Sequence, residues 1–157
     1  MGARYESGDP DATQPIDALR PALAVARGLA EVAIERAVQR DAVAARAAID
    51  DVSVVLANAA DDAEAARVRI LVGEALLALR EPALARERFE RSFLPLLAND
   101  DRAGSARAVL GVARALQMLG DAGARDAFAY AELLFGTEPL EDDQSLAIRD
   151  RSERRQS

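Results

Sequence analysis

A chain of 157 residues, half of them hydrophobic and only 4% aromatic, with a net charge of -7, fits one ordinary domain with a core of small aliphatic side chains. Cysteine, histidine, tryptophan and lysine are absent and all 20 basic residues are arginine, which removes a Cys/His zinc site, a thiol nucleophile, a Ser-His-Asp relay, an imidazole base, a Schiff-base lysine and a phosphate-loop lysine. The acidic balance disfavours nucleic acid and anionic membranes as partners, and no run of about 20 apolar residues offers to span a bilayer.

Residues 1–14 carry Gly, Pro, Asp and Ser with no apolar period and no charged-then-apolar signal pattern, so they are expected to be a disordered tail. The chain reads as cytoplasmic, and arginine in place of lysine points to a GC-rich bacterial genome. From position 15 to 136 apolar residues fall at helical spacing in six stretches. The expected helices are 16–39, 41–58, 62–79, 82–98, 101–119 and 121–135. Asp41 and Asp121 stand where an N-cap oxygen would meet free N–H groups, Pro82 fits a first helical turn, and Gly120 stands where a helix should end. Residues 137–157 follow a Gly-Thr-Glu-Pro turn that begins at Gly136 and close on a mixed-charge run, which leaves a polar capping helix and a disordered tail both open.

A recurrence organises these stretches. Ala26-Arg27, Ala66-Arg67 and Ala106-Arg107 repeat at a spacing of 40, as do Val32-Ala33, Val72-Gly73 and Val112-Ala113. Ala45-Arg46, Ala85-Arg86 and Ala124-Arg125, then Ile49, Phe89 and Phe128, follow at 40 and then 39, so the third unit has lost a residue just after its turn. Each unit is a helix, a short turn and a helix. Small residues Ala33, Gly73 and Ala113 are expected to let the second helix approach closely, with Ile49, Phe89 and Phe128 as bulky wedges between layers.

The middle unit, with Val72-Gly73, Leu76, Leu79, Pro82, Ala85, Phe89 and Ser92, resembles the tetratricopeptide repeat; the flanking units resemble it more loosely, and the period of 40 is similar to that of its longer variants. The resemblance implies an all-α, right-handed helical-repeat solenoid of about three helix-turn-helix units, with first helices lining a concave groove that takes a peptide or helix of a partner protein. Carried over position by position, the groove would hold Ile70 and Leu110, then Ile34, Glu74 and Arg114, then Leu77 and Gln117. Stacked units also put Arg27, Arg67 and Arg107 in one ladder, suited to an acidic or amphipathic segment. The opposite reading is a row of solvated side chains. Arg46, Arg86 and Arg125 are expected to be exposed or paired with acids. Leu29, Arg69 and Val109, and Arg36, Leu76 and Leu116, depart from the family by standing where it carries aromatics.

The leading expectation is therefore a protein-interaction module, an adaptor or scaffold without catalytic residues, metal or cofactor. The alternative is a self-associating structural subunit, a homodimer formed through exposed Leu and Val on the end helices. A small-molecule sensor ranks below both, because a narrow alanine-rich core leaves little room for a pocket. Acid pairs such as Asp61-Asp62 and Asp100-Asp101 could in principle bind Mg²⁺, but at helix joints capping accounts for them.

Overall fold

The computed structural model describes residues 16–136, with side chains from position 20 onward. The expectations for the two tails lie outside the described residues. Among those described there is no strand, and six helices follow in order: α1 (Ile16–Val38), α2 (Ala42–Ala57), α3 (Ala63–Ala78), α4 (Pro82–Ala98), α5 (Arg102–Met118) and α6 (Ala124–Phe135). Five of the six begin within two residues of expectation. α6 starts three residues late, because Asp121 Oδ1 accepts from the Gly123 N–H and tightens a turn instead of capping a helix.

Capping chemistry sets the other boundaries. Asp41, Asp62 and Asp101 each accept from the N–H three residues on, at 3.1, 2.9 and 2.8 Å, and so satisfy a donor that the first turn would leave without a partner. Asp62 and Asp101 therefore act as caps, as their positions at the joints suggested. Pro82 opens α4, where its missing N–H does no harm.

The helix ends follow one rule. Arg40, Arg80, Asp100 and Gly120 have φ of 66°, 64°, 57° and 71°, and three of them stand 40 apart. At each, the left-handed residue and the one after it donate back into the preceding turn, as Arg80 N–H does to the Leu77 carbonyl at 3.0 Å and Glu81 N–H to the Leu76 carbonyl at 2.9 Å. This closure spends two free carbonyls and reverses the chain within three residues. Only the α2–α3 junction, residues 58–62, lacks a left-handed residue. It is longer and more open, and it carries Asp61.

Each hairpin, α1 with α2, α3 with α4 and α5 with α6, is closely packed along its length. Between hairpins the contacts differ. α1 lies along α3 while α2 barely meets α3; α4 lies along α5 as closely as any hairpin pair, while α3 and α5 touch only slightly. The short 99–101 joint folds α5 directly back on α4, whereas the longer 58–62 joint lets α3 swing beside α1. One consequence is a depression between α2 and α4, floored by α3.

The core is small-residue packing with few large wedges. Ala26, Ala30, Ala33, Ala45, Ala65, Ala66, Val72, Ala75 and Ala85 are buried along α1 to α4, and Ala106, Leu110, Ala113, Phe128, Ala131 and Phe135 form a second cluster between α5 and α6. Phe93 packs against both clusters, and its ring centroid stands 6.1 Å from that of Tyr130. Phe89 is the principal wedge, and two glycines make room for it. A Cβ at Gly73 would come within 2.7 Å of its ring, and one at Gly111 within 2.3 Å. The close approach expected at Gly73 is thus real, and Gly111 supplies a second one from the next hairpin.

Candidate interaction surface

Two depressions lie between successive first helices. The one between α1 and α3 is lined by Arg20, Leu23, Ala24, Arg27, Glu64, Arg67 and Val68. The one between α3 and α5 is lined by Glu74, Leu77, Ala78, Arg114, Gln117 and Met118. The recurrence is legible in the linings: Arg27 and Arg67, Glu74 and Arg114, Leu77 and Gln117, and Ala78 and Met118 are each 40 apart. Facing positions on neighbouring helices thus share one hollow.

Most of the residues expected at a groove are therefore brought together in two groups: Arg27 with Arg67, and Glu74, Leu77, Arg114 and Gln117 with one another. Ile34 is half-buried against the core. Two expectations need correction. Ile70 and Leu110 are 2% and 4% exposed, inside the core, where a partner has no access. They occupy the column that faces the neighbouring helices, and equal position in the repeat carries no information on which way that column points.

The arginine ladder is corrected as well. Arg67 donates from Nε and Nη2 to Asp101 Oδ2 at 3.1 and 3.0 Å, and Arg107 donates from Nη2 to Glu74 Oε1 at 2.9 Å. Both pairs tie α5 to α3, where the two helices otherwise touch only slightly. Asp101 does two jobs, since its other oxygen caps α5 at Gly104. Each half-exposed pair is worth about 1 kcal/mol or less. Arg27, on the end layer, pairs among the described residues with Glu31 in its own helix at 3.5 Å and is well exposed. Arg27 is thus the ladder member that braces no second helix among the described residues, with Arg20 beside it.

On the opposite side the second-helix arginines behave as expected. Arg46 of α2 is hydrogen-bonded to Glu81, which raises its pKa first through that bond and then through charge, and Arg86 is held likewise by Glu90 at 2.6 Å. Arg125 is exposed.

Arg69 stands where the tetratricopeptide pattern would carry an aromatic side chain. Its side chain is 1% exposed, although Leu29 and Val109 hold the equivalent positions. Its Nη2 lies 2.9 Å from Asp61 Oδ1, yet Nε, Nη1 and Nη2 all lack an aligned hydrogen-bond acceptor. Each such donor costs about 1–3 kcal/mol. Arg91 Nη2 reaches the same Asp61 oxygen at 3.4 Å. Burial pushes the Arg69 pKa down, Asp61 opposes that, and the charges of Arg91 and Arg88 add to it. A lone charge in an otherwise apolar column was the signal by which the sequence could have revealed this cluster.

Among the described residues no three acidic side chains gather as a metal ion would require, and no helix is long and apolar enough to cross a membrane. Comparison of the chain with protein-family models, with curated proteins and with solved structures finds no match.

Proposed function

We propose that this chain is a protein-interaction module, an adaptor or scaffold whose three hairpins stack as a helical-repeat solenoid and whose first-helix face takes a segment of a partner protein. The observation that carries this reading is the pair of depressions along α1, α3 and α5, lined by positions 40 apart and mixing charge with apolar surface. Shallow, repeated hollows of this kind suit side chains of an extended or helical segment better than a small molecule, which needs a deeper enclosure. The first hollow offers Arg20 and Arg27 to acids of the partner, and the second offers Leu77 and Met118 to an apolar side chain.

The test is capture of partners from the host cell's lysate by wild type and two double variants, Arg20→Glu with Arg27→Glu, and Gln117→Glu with Met118→Glu. All four side chains are exposed and none is an interhelical brace, so circular dichroism should be unchanged. A partner retained by wild type and lost by either variant supports the reading. Retention by both variants overturns the choice of face.

A second reading is favoured by one observation. Val25 and Val32 on α1, two turns apart, are 62% and 42% exposed, and Val43 and Val54 on α2 are 82% and 65% exposed. An apolar outer surface on the first hairpin suits pairing of two chains. Sedimentation as a dimer that Val25→Glu with Val32→Glu converts to monomer would favour self-association.

A further inference from the structure

The α2–α4 depression runs along a face distinct from the one just described. Its walls are Arg46, Ile49, Asp50 and Ser53 of α2 and Leu84 and Arg88 of α4, with Leu76 as floor and Glu81 at the turn. Leu84 and Arg88 are one helical turn apart, and Arg91 follows at the next turn. On α3, Arg69 precedes Leu76 by two turns on the same side, and the charges of Arg91 and of Arg88, which lines the depression, both act on it.

Three guanidiniums meet there in a chain that is acidic overall. Asp61 and Asp62 stand against Arg69, with Asp62 already committed through Oδ1 to the Ala65 N–H as the cap of α3, while Asp50 and Glu81 lie beside Arg88 and Glu81 is taken by Arg46. Asp61 alone serves Arg69 and Arg91, both through Oδ1. Arg88 makes no ion pair among the described residues. The N-terminal end of α3 adds further positive potential. The Arg69 side chain is fully buried with its donors unaligned, whereas Asp61 is 56% exposed, on the junction that lacks the tight closure of the others.

Arg69 and Arg91 share one oxygen of Asp61, and the five N–H donors of Arg69 have no aligned acceptor. A carboxylate that approached with freedom to align could make the bidentate contact that Asp61, constrained by its backbone, does not make. Exchange of one carboxylate for another also leaves the charge balance around Arg69 unchanged. We propose that Arg88 and Arg91 form a recognition site for an acidic side chain of a partner polypeptide, that Asp61, itself 56% exposed, is the resident carboxylate which the partner displaces, and that Arg69 is reached only once Asp61 has moved aside. Leu84, 49% exposed and one turn before Arg88 on α4, then receives a leucine or similar residue about one helical turn from that acid.

The experiment measures fluorescence anisotropy of a short labelled peptide carrying Leu and paired Glu residues, with a control in which Gln replaces Glu. Wild type is expected to bind the Glu peptide and not the Gln peptide. Asp61→Asn, which removes the internal competitor, is expected to tighten binding roughly tenfold. Arg88→Gln with Arg91→Gln, at sites that are not buried, is expected to weaken it at least about tenfold without loss of helicity by circular dichroism. Arg20→Glu with Arg27→Glu should leave it unchanged, which separates this site from the first-helix face. Equal binding of the Gln peptide, or no response to the Arg88 and Arg91 changes, overturns the proposal. Competition by inorganic phosphate at concentrations where acetate has no effect overturns the choice of a carboxylate and assigns the site to phosphorylated ligands.

Discussion

The ring of Phe89 fills the space that a side chain at Gly111 would occupy. An added Cβ would stand 2.3 Å from the ring, and one added at Gly73 of the ring's own hairpin would stand 2.7 Å from it. Phe89 is fully buried, so it cannot swing into solvent to relieve the overlap. Gly111→Ala is therefore expected to lower stability by about 1–3 kcal/mol, although alanine is the better helix former. Phe89→Leu in the same chain should recover part of the loss. Urea unfolding of the two single variants and the double variant measures the coupling, and additive effects would show that the ring does not set the α4–α5 spacing.

The left-handed residues that close the helices give a change in the opposite direction. Arg80 is exposed, with φ of 64°, and its side chain has no hydrogen bond or ion pair among the described residues. Glycine adopts this conformation without the clash between Cβ and carbonyl that any L side chain incurs. Arg80→Gly is expected to raise stability by about 0.5–1 kcal/mol, and Gly120→Ala to lower it by about 1 kcal/mol. Thermal melts of the two variants should shift to opposite sides of wild type.

Asp101 joins two features that are separable by mutation. One oxygen caps α5 and the other receives Arg67 of α3. Asp101→Ala is expected to cost about 1–2 kcal/mol, most of it from the cap. Arg67→Ala should cost less, about 0.5 kcal/mol, and its effect should fade in high salt. Asp101→Ser restores a cap without the charge and should recover most of the first loss, as chemical denaturation at low and high salt would show.

The helices were legible because the recurrence at 40 fixes which residues are equivalent, and because Asp41, Asp62, Asp101 and Pro82 mark helix starts by local chemistry. Asp121 misled for a physical reason, since its carboxylate finds a nearer donor at Gly123. The first-helix face was legible as a set of positions but not as a surface. Ile70 and Leu110 repeat as faithfully as Arg27 does, yet they point inward. Pairings between hairpins, such as Arg107 with Glu74, join residues 33 apart, and no periodicity within one unit contains them. Arg69 was visible as an odd residue, but its burial depends on how α3 swings at the 58–62 joint, which is a matter of packing.

That buried guanidinium supports a final stability prediction. Removing one partner of a buried pair leaves an uncompensated charge, whereas replacing the buried charge with an apolar side chain of similar length is commonly neutral or stabilising. Asp61→Ala should therefore lower stability, by about 1–3 kcal/mol after allowance for the solvent that reaches the carboxylate. Arg69→Met should change it by no more than about 1 kcal/mol in either direction, since methionine fills an irregular space without donors to satisfy. In the Arg69→Met background, Asp61→Ala should cost almost nothing. A double-mutant cycle by urea unfolding reads this directly. If Asp61→Ala were as costly with methionine at 69 as with arginine, the carboxylate would be stabilising the α2–α3 junction by its own backbone contacts and not by neutralising Arg69.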